Sequence, residues 1–303
     1  MWKTEDMGDL SGRRFVVTGV SGLASAIIET LAAHGAEVIV AGRSPIRAGA
    51  LIHDIETRLP DARLSHRILD LGDLGSVQTF VEAANRDLDH IDVLINNAAV
   101  MAELKRGETK DGFEKMFGTN HLGHFALTLG LLPLLRKGTN PRVVSLASGA
   151  HKIGEFDFGD LQSTNKFKPM VAYGKTKLAT LMFAKELQRR SDVNGWGITS
   201  VAAHPGFART QGVYDRLDTI PVLGWIAGKT VVPLLSHVPE KAAESTLFAA
   251  TSPDATGGGY YGPQSWRGLK GPVGPSEPAN YAEREDIATR LWDESEKLTG
   301  VSV

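Results

Sequence analysis

Arg14-Phe15-Val16-Val17-Thr18-Gly19-Val20-Ser21-Gly22-Leu23-Ala24 sets a strand, a turn and the start of a helix in one short stretch. Residues 14–18 are β-branched and aromatic, which reads as a buried strand. Apolar residues then recur at helical period over residues 23–33, and Gly35 stands where such a helix closes. The intervening glycines permit a tight turn and let backbone N–H groups approach a pyrophosphate, to which a helix N-terminus adds partial positive charge. Ordinary strand–helix turns use glycine too. Position at the first such junction is what favours a dinucleotide site here.

Outward from this unit the alternation continues. Strands are expected at 37–41, 64–69, 91–95, 142–146 and 197–202. Helices are expected from Ser44-Pro45 to about Leu59, then over 74–88, 119–136 and 170–188. Such a series argues for an α/β fold with a doubly wound parallel sheet, whose ligands lie at the carboxyl ends of the strands. Residues 149–169 and 206–239 break the rhythm. The second of these is rich in Ile, Leu, Val, Trp and Pro, which suits a substrate lid or a helix packed on the core. Glycine and proline are dense over 253–278, read as turns around one short strand at 259–262, and a charged amphipathic helix is expected over 282–298. No linker divides residues 1–303. The expectation is a single domain with a lid at about 206–239 and a C-terminal extension at about 263–303.

Bulk composition narrows the function. The 303 residues are 42% hydrophobic and 22% charged, as in a soluble globular protein. A net charge of -2 gives no electrostatic reason to expect nucleic acid or an anionic membrane. With no cysteine, disulfides, thiol nucleophiles and thiolate metal sites are excluded together. The N-terminal residues lack the apolar core of a signal peptide, and no apolar run reaches membrane-spanning length, so a cytoplasmic protein is expected.

Tyr173-Gly174-Lys175-Thr176-Lys177 carries the chemistry. On a helix Tyr173 and Lys177 share one face, and an ammonium beside a phenol is expected to lower its pKa toward working pH. Such a phenol can pass a proton to a carbonyl oxygen or take one from an alcohol. A plain solvated pair has the same spacing. After the second strand stands Ala41-Gly42-Arg43-Ser44, with no carboxylate to bind ribose hydroxyls. A guanidinium suits a 2′-phosphate, so NADP(H) is preferred over NAD(H), unless Arg43 is only a solvated loop cation. Asp70 can accept from an adenine amino group or cap a helix.

The ordered set Thr18-Gly19…Gly22, Asn96-Asn97-Ala98-Ala99, Asn120-His121-Leu122-Gly123-His124-Phe125, Ser148, Tyr173…Lys177 and His204-Pro205-Gly206 resembles the short-chain dehydrogenase/reductase family, within it the retinol-dehydrogenase-like group. That resemblance implies a Rossmann fold and Tyr173 as general acid in reduction or base in oxidation. It implies Lys177 as the partner of both Tyr173 and the nicotinamide ribose, and Ser148 as donor to the substrate oxygen. Asn120 would fix a water linking Lys177 to solvent. Asn96, Asn97 and Ala98 would lie against the cofactor, with Ser21 and Leu23 in the glycine turn and Leu71 beside Asp70. Pro205 and Gly206 would pass the nicotinamide, with Thr210 near its carboxamide. Ser148 is preferred to Ser145 because it aligns with the group's reactive serine. The glycine turn is one residue short of the family pattern, so Ala24 or Ser25 is expected to crowd the pyrophosphate. The resemblance also implies a homodimer or homotetramer through the helices bearing Asn120 and Tyr173, unless the C-terminal extension covers them.

The expected function is hydride transfer between NADP(H) and an apolar aldehyde or ketone, or the corresponding alcohol. A catalytically silent NADP(H)-binding protein and a C=C reductase are the rivals. His121, His124, His151 and His204 lack metal-ligand spacing backed by carboxylates and are expected to pack or to support neighbours, so no metal is expected.

Overall fold

The computed structural model describes residues 2–101, 103–207 and 237–303. Eight strands, β1 (Arg14–Thr18), β2 (Glu37–Gly42), β3 (Arg63–Ile68), β4 (Val93–Asn96), β5 (Arg142–Leu146), β6 (Thr199–Ala203), β7 (Tyr260–Ser265) and β8 (Lys270–Pro275), form one sheet in the order β3-β2-β1-β4-β5-β6-β7-β8. The chain winds outward from β1 to β3, then returns to place β4 on the other side of β1. That reversal opens a crevice at the carboxyl ends of β1 and β4.

Every pairing is parallel except β7 with β8. β8 is a finding beyond the sequence expectation. Its Lys-Gly-Pro-Val-Gly-Pro composition reads as turns, and proline is tolerated because β8 is an edge strand. Residues 263–275, expected as extension, therefore belong largely to the sheet.

Alternating side chains fill both faces of the sheet. Phe15 and Val17 pack with Ile27, Ile28 and Leu31 of α1 (Leu23–Ala33), with α2 (Pro45–Arg58), and with Leu247 and Phe248 of the helix Pro239–Thr251. Val16 and Leu94 point the other way, onto α3 (Leu74–Asp87) and the long apolar helix that follows β4. Local signals set the helix ends. Gly35, at φ 86°, closes α1 with Ala36 N–H donating to Leu31 O at 3.1 Å, a Schellman arrangement. The Ser44 hydroxyl caps α2, and the Asp73 carboxylate accepts from Gly75 and Ser76 at the start of α3.

The helix expected over 119–136 is instead a π turn (Gly118–Leu122) followed by α5 (Gly123–Leu135), and one further helical turn, α4 (Lys115–Phe117), precedes it. At the junction Gly123 lies so close to the β3–α3 turn that a Cβ would stand 2.3 Å from Leu71 O. A π turn takes up one additional residue, and such turns recur at functional sites. Asn120 lies in it.

α6 (Pro169–Asn194) carries Tyr173 and Lys177 and stops at Gly195, φ 62°. The helix Pro239–Thr251 becomes α7 and Glu285–Thr299 becomes α8. On α8, Ala288, Leu291, Trp292 and Ser295 form one buried stripe. Trp292 stacks on Phe183 of α6 at 5.8 Å and meets Phe125 of α5 edge-on at 5.0 Å. No helix among the described residues is long and apolar enough to cross a membrane.

Candidate active site

One cavity of about 630 Å³ runs along the carboxyl ends of β1, β2, β4, β5 and β6. Its volume is that of a sizeable small-molecule site. Segments that follow several of the strands build its wall.

At one end, Gly19, Val20, Ser21, Gly22 and Leu23 form the wall between β1 and α1. Gly19 at φ 105° and Gly22 at φ 61° adopt backbone that L side chains resist, and a Cβ on Gly19 would meet Asn97 Nδ2 at 3.0 Å. Gly22, at the N-cap of α1, brings no capping side chain, in contrast to Ser44 and Asp73 on α2 and α3. The first N–H groups of α1 are thus left for a ligand anion. Neither Ala24 nor Ser25, the residues expected to crowd the pyrophosphate, lines the cavity. Ala24 is buried in the core, and the Ser25 hydroxyl donates back to Gly22 O at 2.7 Å. Gly42 is required here as well: its Cβ would fall 2.5 Å from Val20 Cγ1.

Beyond this turn lie Arg43, Asp70 and Leu71, joined by Arg47. Arg43 and Arg47 are exposed, and neither makes an ion pair among the described residues. Asp70 Oδ1 accepts from Gly72 N–H at 2.9 Å, which fixes its carboxylate at the cavity wall, whereas Asp73 is the residue that caps α3. Sequence reasoning missed Arg47. The signal was present, since it follows Arg43 by one helical turn, just inside a helix announced by Ser44-Pro45.

Thr18, buried at the end of β1, organises the middle. Its Oγ1 accepts from Asn97 N–H and Ala98 N–H, both at 2.9 Å, and Asn97 Nδ2 donates to Thr18 O at 2.9 Å. His124 completes the junction. Its Nδ1 faces the Asn120 carbonyl at 3.0 Å and must carry the proton, because a carbonyl only accepts. Burial lowers the His124 pKa to about 4, so the ring is neutral and its Nε2 accepts from the Thr18 hydroxyl at 2.9 Å. Asn97 and Ala98 face the cavity. Asn96 does not: its Nδ2 donates to Thr128 Oγ1 at 2.9 Å on the α5 side, so its expected cofactor contact is corrected.

At the other end Ser148, Tyr173 and Lys177 meet, together with Pro205 and Gly206. The Ser148 hydroxyl lines the cavity beside Tyr173 and accepts from Ala150 N–H at 3.2 Å. Ser145 Oγ is buried with no partner among the described residues and is absent from the cavity wall, which Ser148 lines. The lowered Tyr173 pKa expected from the sequence is not what this geometry produces. Burial pushes it up to about 12, against which the neighbouring Ser148 hydroxyl acts in the lowering direction. Lys177 shares the helix face but is itself buried and lowered to about 8, and its Nζ donates to Leu146 O at 2.7 Å. Its Nζ lies 5.9 Å from the Tyr173 ring centroid. Desolvation outweighs the helical pairing.

Asn120 stands behind the wall. Its Oδ1 accepts from Val100 N–H at 2.7 Å, and its Nδ2 donates to Val100 O and Thr176 Oγ1, tying the chain after β4 to α6. Thr210 and nearly all of the expected lid lie outside the described residues. Met101, Met170 and Phe207, also missed, add apolar surface to the cavity wall. Among the described residues no cluster of three or more His, Cys, Asp or Glu has the placement of a metal site.

Fold and site together define an NAD(P)-dependent oxidoreductase of the doubly wound α/β class. The family description "short chain dehydrogenase" matches residues 13–219. Retinol dehydrogenase 13 of Homo sapiens is 36% identical over 300 residues, covering 96% of this chain and 86% of that protein. Polyprenol dehydrogenase of Mus musculus is 35% identical over 300 residues, covering 95% and 84%. The crystal structure of an uncharacterized protein from Mycobacterium Paratuberculosis superposes with TM-score 0.82 at 35% identity, covering 99% of this chain and 98% of that one. This chain belongs to the short-chain dehydrogenase/reductase family, in its retinol-dehydrogenase-like group.

Proposed function

We propose that the protein is an NADP(H)-dependent carbonyl reductase, or the reverse alcohol dehydrogenase, acting on an apolar aldehyde or ketone. The observation that carries this reading is the meeting of Ser148, Tyr173 and Lys177 on the wall of a cavity that also bears Arg43 and Arg47. The residues fit the cofactor. Uncapped N–H groups of α1 suit a pyrophosphate, and two guanidinium groups without ion pairs suit a 2′-phosphate. When bound there, the dinucleotide supplies or accepts the hydride.

The chain's own residues handle the oxygen and its proton. Ser148 holds the substrate oxygen, its hydroxyl oriented by Ala150 N–H. A phenol held at about 12 is protonated at working pH, so Tyr173 serves most readily as the acid of the reductive direction. Lys177 anchors α6 to the end of β5 and presents its ammonium to the cavity. Asn120 fixes the π turn against α6, the position from which a water between Lys177 and solvent would be held. Met101, Met170 and Phe207 favour an apolar substrate, as do the printed names of the retinol and polyprenol relatives. A cytoplasmic location belongs to the same proposal.

Replacing Tyr173 by Phe tests it. NADPH binding, followed by tryptophan fluorescence, should persist while reduction of a long-chain aldehyde falls at least about 100-fold. Retained turnover refutes the assignment. Against the silent-binder reading, neither Ala24 nor Ser25 lines the cavity. Product analysis on an unsaturated aldehyde separates C=O from C=C reduction. On assembly, we infer a monomer, because α8 occupies the face of α5 and α6 expected to make a homodimer or homotetramer.

A further inference from the structure

Behind Ser148 and Gly206 lies a buried cluster that the proposed chemistry does not use: His151, Tyr260 and His204. The Tyr260 ring lies between the two imidazoles, 5.4 Å from His151 and 5.0 Å from His204. Both histidines are tied to the segment that leaves β8. His151 Nε2 accepts from Ala279 N–H at 3.1 Å, and His204 Nε2 lies 3.0 Å from Ser276 Oγ.

Their other nitrogens reach the active-site backbone. His151 Nδ1 stands 2.7 Å from Ser148 O, and His204 Nδ1 accepts from Gly206 N–H at 3.3 Å. These partners determine each tautomer. A carbonyl only accepts and a backbone N–H only donates, so His151 is protonated at Nδ1 and bare at Nε2. His204 is the reverse: bare at Nδ1, it donates from Nε2 to Ser276. The fold makes room for this ring, because a Cβ on Gly262 would lie 1.8 Å from His204 Nε2.

We propose that His151 and His204 are positioning residues, neutral imidazoles of opposite tautomer through which Ser276–Ala279 sets the backbones of Ser148 and Gly206. The assignment of Ser148 as the substrate-oxygen ligand is taken from the proposed function, on which this inference rests. His151 acts through Ser148, whose carbonyl it fixes, while Ala150 N–H fixes the hydroxyl. His204 acts on the wall at Gly206.

Imidazole nitrogen NMR spectra of the full wild-type chain test the arrangement without any turnover. His151 should read as the Nδ1–H form and His204 as the Nε2–H form; either ring in the other form overturns the proposal. Kinetics then test the consequence, with reduction of a long-chain aldehyde by NADPH as the assay. H151L should lower kcat by about 100-fold, the scale of an ångström-size misplacement, while the NADPH dissociation constant stays within about threefold. H151N keeps an amide N–H near the place of Nδ1 and should recover most of that loss. In an S148A background H151L should cost nothing further, because its effect passes through Ser148. Additive losses, or H151N no better than H151L, overturn the positioning role. Wild type without carbonyl reduction sinks the proposed function instead, and the tautomer reading stands apart from that result.

Discussion

Lys177 is a buried ammonium one helical turn from Tyr173, and its environment makes a pH-dependent contribution to stability. Burial lowers it to about 8 from an ordinary 10.5. Between those values the unfolded chain binds a proton that the native protein does not, so stability rises with pH across the window. Tyr173 has the opposite sign. Held at about 12 against 10.0, it keeps its proton after the unfolded chain has lost its own, so stability falls above pH 10. Urea unfolding of wild type and K177M at pH 8 and pH 10 should show the wild type gaining about 2 kcal/mol relative to the variant, at about 1.4 kcal/mol per pK unit. At the far end of the cavity, R43A/R47A should weaken NADPH binding by about 10- to 100-fold and leave NADH unchanged, as the loss of two charge-assisted contacts requires. Equal losses for both dinucleotides, read by fluorescence titration, would remove the 2′-phosphate assignment.

Elements meet at the site by close approach, and glycine decides how close. β2 ends at Gly42, directly against Val20 of the β1–α1 turn, with no room for a methyl group. G42A should push that turn into the cavity and raise the NADPH dissociation constant, while V20A in the same chain should restore it; calorimetric titration of the two variants checks this. The β1–α1 unit, both its boundaries and its glycines, was legible from residues 14–24, because strand, turn and helix signals there are local. The π turn was not. Residues 122–135 are predominantly apolar, so residues 119–136 read as one helix, and the break comes from Gly123 meeting Leu71 and Asn120 bonding Val100. β8 was hidden for another reason, since its glycines and prolines form a strand only when β7 is beside it.

Over the whole molecule, α8 determines what α5 and α6 can still contact. Trp292 is buried against Phe125 and Phe183, with the Arg190 guanidinium 4.4 Å over its ring. Wild type should elute as a monomer in light-scattering chromatography. W292A should lose about 3–5 kcal/mol of stability, the usual cost of truncating a buried aromatic side chain. A stable wild-type dimer with α8 still docked would place self-association on another face.

The sequence by itself determined the strand–helix alternation and the doubly wound sheet, because period and turn chemistry are short-range. It also pointed to Ser148, Tyr173 and Lys177 as a set. Only the tertiary structure decided the direction of the Tyr173 shift, the turning of Asn96 toward Thr128 and the arrival of Arg47 beside Arg43. It also decided the seating of His151 and His204 behind the site. Each depends on what distant segments exclude from water or bring within hydrogen-bond reach, and neither desolvation nor partner choice is written in the spacing of residues along a chain.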